Sequence, residues 1–207
     1  PWQRWRELGP VKAFFDTAGQ VVFQPAFFFS HLPAGRDLAT PLLFALVCIL
    51  LFWFPMNVIY IKWVFPTMLY NLPAQETALD ENDGQSSSGL PQGLRDRIGS
   101  LSGMEILTMP FNFLAFNIFI ASLLQQVLIS FFQGREGYIA TFQIRCYAMV
   151  AQCLLLIPFI GILLAEIGSL LVCLRGFQVV QKLTFAQALC VALVPITISF
   201  LAIPALL

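Results

Sequence analysis

The chain is poor in the residues that do chemistry. It has one histidine, His31, in 207 residues, so the usual zinc and haem ligand sets and any His-based catalytic pair are missing. Cys48, Cys146, Cys153, Cys173 and Cys190 all lie in apolar stretches and form no C-x-x-C pair. A buried free thiol behaves as a small hydrophobe, so these residues read as packing rather than as redox or metal chemistry. Charge is equally sparse: 11 basic residues balance 11 acidic ones, which gives no overall attraction to nucleic acid. No Gly-rich phosphate loop occurs, and no serine or threonine has a His or Asp base within reach. The expectation is a protein without enzymatic activity and without a cofactor. The first forty residues are charged and amphipathic, unlike the apolar region of a signal peptide.

What the chain has in quantity is hydrophobic length. Apolar residues make up 58% of it and its mean hydropathy is +0.81. A hydrocarbon core about 30 Å thick needs roughly 20 apolar residues per helix. Five runs meet that need: Pro41 to Val64, Ile106 to Phe132, Phe142 to Ile160, Ile162 to Val180 and Phe185 to Ala205. The expected fold is an all-α integral membrane protein with five transmembrane helices. Pro55 predicts a kink in the first span. A polar linker at 71–103, with Asp80, Glu81 and Asp83 close together, separates the first two spans and reads as a solvated loop.

Residues 1–40 precede the spans and read as interfacial amphipathic helices. Val11, Phe14, Phe15, Ala18, Val21 and Val22 recur at helical spacing, with Lys12, Asp16 and Gln20 off that face. Such a helix either lies in the headgroup layer or packs on the protein's own bundle. With the N-terminus inside, eight basic residues fall on the inner side: Arg4, Arg6, Lys12, Arg36, Arg135, Arg145, Arg175 and Lys182. Only Lys62, Arg95 and Arg97 fall outside. The positive-inside rule therefore predicts a cytoplasmic N-terminus and an extracytoplasmic C-terminus.

Thr141, Phe142 and Tyr147 form a T-F-x-x-x-x-Y opening, and Ile157, Pro158 and Gly161 an I-P-x-x-G break. Leu174-Arg175-Gly176 and a Lys182-Leu183-Thr184-x-x-x-Ala188 restart follow. Upstream, Asp37-Leu38-Ala39-Thr40-Pro41 is similar to a D-L-x-G-P signature with Thr40 in place of Gly, after a Gln24-Pro25-x-Phe27-Phe28 lead-in. On these residues the chain resembles the Yip1 family of five-span membrane proteins, bacterial members above all, over about three quarters of its length. The family-like positions are Asp37, Leu38, Pro41, Tyr147, Pro158 and Gly161. The resemblance implies a five-span topology, a cytoplasmic N-terminus and a role through lipids or partner subunits rather than through catalysis. The eukaryotic members' G-Y-x-x-x-P motif is degraded here, with Cys146 before Tyr147 and Ala151 at the Pro position, so Rab GTPase binding is not carried over.

Among individual residues, Glu166 is the main candidate. An intramembrane carboxylate costs roughly 2.5 kcal/mol or more at a helix centre. It reads either as a proton or cation site or partner anchor, or as a structural glutamate reaching toward the surface. With Asn117 and Gln125 of the second span it forms a candidate intramembrane polar site, whose amides are either interhelical glue or the lining of a path. Arg135, Arg145, Arg175 and Lys182 form a candidate inner basic rim for anionic lipid or an acidic partner, Arg145 snorkelling outward from a position roughly 13 Å along the axis from Glu166. The leading function is a scaffold, lipid organiser or accessory subunit of a larger membrane assembly. The alternative is a transporter or permeation component using Glu166 and the second-helix amides. The expected partners are membrane lipids and other membrane subunits, with no nucleic acid.

Overall fold

The computed structural model describes residues 2–32, 37–59, 103–157 and 160–194, with the backbone alone for 103–107. Every regular element among them is helical. A short helical lead over residues 2–8 is followed by α1 (Pro10–Phe23) and α2 (Pro25–Ser30). Each starts on a proline, which loses nothing there because the first-turn N–H has no helical acceptor. Four helices are long and apolar enough to cross a membrane: α3 (Ala39–Ile59), α4 (Thr108–Phe131), α5 (Tyr138–Leu156) and α6 (Gly161–Val180). A shorter apolar helix, α7 (Phe185–Val194), follows. Of the expected fifth span only these ten residues are described, and the rest of it lies outside the described residues, as does the linker at 71–103.

Helix α5 is the axis of the bundle. Within its most apolar window 78% of residues are buried, against 22% to 39% in the other three long helices. It starts at Tyr138, four residues ahead of the apolar run, because Thr141 and Gln143 find hydrogen-bond partners inside the protein. The first half of α3 packs on the first half of α5 and its second half on the second, so the two run parallel. Helix α6 returns antiparallel along α5. The join is tight: a Cβ on Gly161 would lie 2.6 Å from the Leu154 carbonyl oxygen, so only glycine lets α6 start there. Ala165 and Ser169 continue this small-residue ridge and are buried, which lets the two backbones approach.

The N-terminal helices belong to the same hydrophobic core. Helix α1 buries Ala13, Phe14, Thr17 and Val21, whereas Val11, Phe15 and Val22 face outward. The single apolar face of the sequence is thus split in two. Phe14 packs on Phe44 of α3 as a tilted ring pair (5.3 Å between ring centroids), and Trp2 donates its indole N–H to the Thr40 carbonyl at 2.8 Å. In α2, Phe28 packs edge-on against Tyr147 at 4.9 Å, and Phe29 sits over the bare backbone of Gly176.

Three helices depart from α geometry. Residues Ile49–Trp53 of α3 and Ala115–Ile120 of α4 form π turns, and the second half of α5, Met149–Leu156, tightens to a 3₁₀ helix. The π turn of α3 lies directly before Pro55, whose missing N–H already breaks the ladder, so the irregularity expected there takes the form of a wide turn.

Gly161→Ala is expected to lower stability by about 1–3 kcal/mol through overpacking against the Leu154 carbonyl. Gly19→Ala, in α1 with open space around it, is expected to leave stability unchanged or raise it by roughly 0.5–1 kcal/mol. Thermal unfolding of the purified protein in mild detergent reads both.

Candidate functional site

In a π turn the backbone N–H reaches five residues back instead of four, so one carbonyl drops out of the ladder. At the end of the α4 π turn the Ala121 N–H bonds the carbonyls of Phe116 and Ile118 and passes over that of Asn117. Arg145 of α5 fills the gap: its Nη2 donates to the Asn117 carbonyl at 2.9 Å. Its Nη1 contacts the Cys173 Sγ of α6 at 3.8 Å. Arg145 is only 4% exposed. It does not snorkel to a headgroup rim as expected, because a released carbonyl in the bundle offers its guanidinium a nearer acceptor. Arg145 meets α6 at Cys173, seven residues or roughly 10.5 Å along the helix from Glu166, so the two make no direct ion pair among the described residues, as the axial arithmetic predicts, although the Arg145 charge still acts on Glu166.

Gln125 follows the same rule. Its Nε2 donates to the Val191 carbonyl of α7 at 3.1 Å. Residue 195 is a proline, which has no N–H to offer the carbonyl four residues earlier. Gln143 of α5 donates to the Asp37 carbonyl at 2.9 Å, just ahead of α3. Among the described residues, Gln125 Oε1, Gln143 Oε1 and Arg145 Nε are buried without a partner. Each is the surplus of a side chain whose other end holds a backbone oxygen.

The motif at the head of α3 has a similar explanation. Asp37 accepts from the Ala39 N–H at 2.9 Å and the Thr40 N–H at 3.3 Å, and the Thr40 hydroxyl bonds the same carboxylate. Pro41 has no N–H to satisfy, and the Leu42 N–H starts the helical ladder on the Leu38 carbonyl at 3.2 Å. The Thr40 hydroxyl above all, helped by the backbone N–H groups of Ala39 and Thr40, holds the Asp37 carboxyl below its ordinary value of 3.8 against the opposing effect of burial.

At the same end of the bundle, α4 closes in a turn with Gln133 left-handed (φ 57°) and the Gly134 N–H on the Ile129 carbonyl. Gln181, at the end of α6, clasps this turn. Its Oε1 accepts from the Glu136 N–H at 2.8 Å and its carbonyl from the Arg135 N–H at 3.4 Å. Its Nε2 donates to Thr141 Oγ1, which donates to Gln126 Oε1. Thr184 then caps α7 in a reciprocal box with Gln187.

The residues singled out in the sequence therefore disperse. Arg135 and Lys182 sit on adjoining turns, Arg175 on the exposed side of α6 beside Gln178, and Arg145 inside the bundle. Gln125 is tied to α7, the Asn117 backbone to α5, and Glu166 is exposed on α6. Tyr147 is buried between Phe28 and Phe44, and Pro158 lies outside the described residues. Sequence reading passed over Gln143 and Gln181. Their only signal is an amide inside or directly after an apolar run. Among the described residues no group of three His, Cys, Asp or Glu side chains is arranged to hold a metal ion.

Arg145→Met is expected to cost about 1–3 kcal/mol, the penalty of leaving a buried carbonyl unpaired, and Gln125→Leu about 0.6 kcal/mol. Both are read by unfolding in detergent. Because the Asp37 carboxyl titrates below 3.8 in the folded chain, its capping contribution is present above that pH and fades as the pH falls through the folded value. The stability difference between wild type and Asp37→Ala is expected to shrink as the pH drops below about 4.

The model of the Yip1 domain family matches residues 19–207, nearly the whole chain. No curated protein and no solved structure matches it. With four helices able to cross a membrane among the described residues and a family match over nearly the whole chain, the chain is an integral membrane protein of the Yip1 domain family.

Proposed function

We propose that this Yip1-family protein is non-enzymatic and acts as a scaffold, lipid organiser or accessory subunit in a larger membrane assembly. The supporting observation is how its intramembrane polar groups are used. Arg145, Gln125 and Gln143 are committed to backbone carbonyls, so they hold the bundle together instead of facing a substrate. Glu166 is the exception: a carboxylate on the exposed side of α6 among exposed Ile162, Leu163 and Ile167, within the field of Arg145 but with no hydrogen bond among the described residues. A bare carboxylate facing lipid is costly, and a polar group on a partner helix removes that cost. A permeation path would need Glu166, Asn117 and Gln125 on one wall, whereas Gln125 is tied to α7 and the Asn117 carbonyl is closed off by Arg145, the cation whose field also reaches Glu166.

In this reading the end carrying Arg135 and Lys182 faces the cytoplasm of a bacterial inner membrane, with the C-terminus outside. The outward strip of α1, with Val11 69% and Phe15 65% exposed, lies against the headgroup layer while its other face grips the bundle.

Purification of the tagged chain from its native membrane in mild detergent, followed by mass spectrometry, tests the proposal. A stoichiometric set of other subunits is expected, with Glu166→Leu reducing their recovery several-fold at unchanged protein yield. Recovery of the chain with lipid alone, or unaltered recovery of subunits with Glu166→Leu, would count against the docking role.

A further inference from the structure

The clasp around Gln181 brings the backbones of two cationic residues together from opposite parts of the chain. Arg135 follows α4 and Lys182 follows α6, and the Arg135 N–H bonds the carbonyl of the residue immediately before Lys182. The approach is close, since a Cβ on Gly134 would lie 3.0 Å from Gln181 Oε1. Both cationic residues are exposed. They are flanked by two outward phenyl rings at helix ends, Phe131 (77% exposed) closing α4 and Phe185 (59% exposed) opening α7. Glu136, half-buried beside Arg135, is the one carboxylate of these turns.

The backbone at Lys182 adds an independent observation. Its φ is +58°, the left-handed region that glycine or asparagine occupies at lower cost. A lysine that serves only to mark topology works anywhere in the turn. A lysine placed on the strained residue itself is aimed by that residue's geometry.

We infer that Arg135 and Lys182 form a two-point clamp for the phosphate of an anionic phospholipid, with Phe131 and Phe185 in contact with the upper acyl chains. Aromatic rings beside cations at the ends of membrane helices suit a lipid better than a soluble acidic peptide, which has no use for outward phenyl rings at headgroup depth. This deepens the lipid-organiser part of the proposal above and rests on it for the membrane placement. It does not depend on any protein partner.

The test is native mass spectrometry of the full chain released from vesicles containing equal phosphatidylglycerol and phosphatidylethanolamine. Wild type is expected to retain phosphatidylglycerol preferentially. Arg135→Gln and Lys182→Gly each lower that preference about fivefold, and Lys182→Arg preserves it. Lys182→Gly relieves the left-handed backbone, so it removes the cation without weakening the turn, and an unchanged unfolding temperature verifies this. Equal retention of both lipids by wild type, or unchanged retention in both charge-removing variants, overturns the clamp. Competition by inorganic phosphate at millimolar concentration would assign the site to free phosphate and overturn the lipid reading. Loss of a co-purifying protein from these variants with lipid retention intact would assign the patch to an acidic partner and overturn it likewise.

Discussion

A bilayer offers no water to a backbone carbonyl, and that constraint organises this bundle. Each place where a helix departs from the regular ladder releases an oxygen that must find a donor within the protein. The π turn of α4 releases the Asn117 carbonyl, and Arg145 takes it. The proline at 195 leaves Val191 without its helical donor, and Gln125 supplies one. The carbonyl of Asp37, just ahead of α3, is held by Gln143. The long polar side chains of the spans thus reach from one helix to the irregular backbone of another, and in doing so set which helices are neighbours.

That arrangement explains why α5 is so deeply buried. It carries two of these donors, Arg145 and Gln143, so α4 and the head of α3 gather around it, while the small-residue ridge of α6 closes the remaining side. The N-terminal helices complete the enclosure through Phe28 and Phe29. The residues on which the sequence resembles the family acquire physical roles from this geometry, and so does Thr40, where the resembled signature has Gly. Asp37 and Thr40 cap α3, Tyr147 joins α2 to α3 and α5, Gly161 permits the hairpin, and Thr184 starts α7.

Hydropathy alone was enough to place four spanning helices, because twenty apolar residues in a row have few other fates. The resemblance to the Yip1 family was also legible, since its residues are caps, turns and close approaches whose spacing survives in sequence. The direction of a polar side chain was not. Arg145 beside a membrane end suggests snorkelling, and only the π turn of α4 reveals an acceptor in the opposite direction. The same turn defeats a helical wheel: Asn117 and Gln125 share a face at 3.6 residues per turn, but one inserted residue rotates the later part of the helix by roughly 100°. Nor does periodicity separate the two apolar strips of α1, one on the bundle and one outward, since both consist of valine, alanine and phenylalanine.

The packing of α4 on α5 turns on the bond between the Arg145 guanidinium and the Asn117 carbonyl. Solid-state NMR of the protein in lipid, with ¹⁵N-labelled arginine side chains and a ¹³C-labelled asparagine carbonyl, measures that proximity directly. A strong dipolar coupling between the two sites, consistent with the 2.9 Å nitrogen–oxygen separation and absent in Arg145→Met, is the predicted result. No coupling, with the Arg145 guanidinium instead close to lipid phosphate phosphorus, would contradict the account and return Arg145 to the headgroup rim.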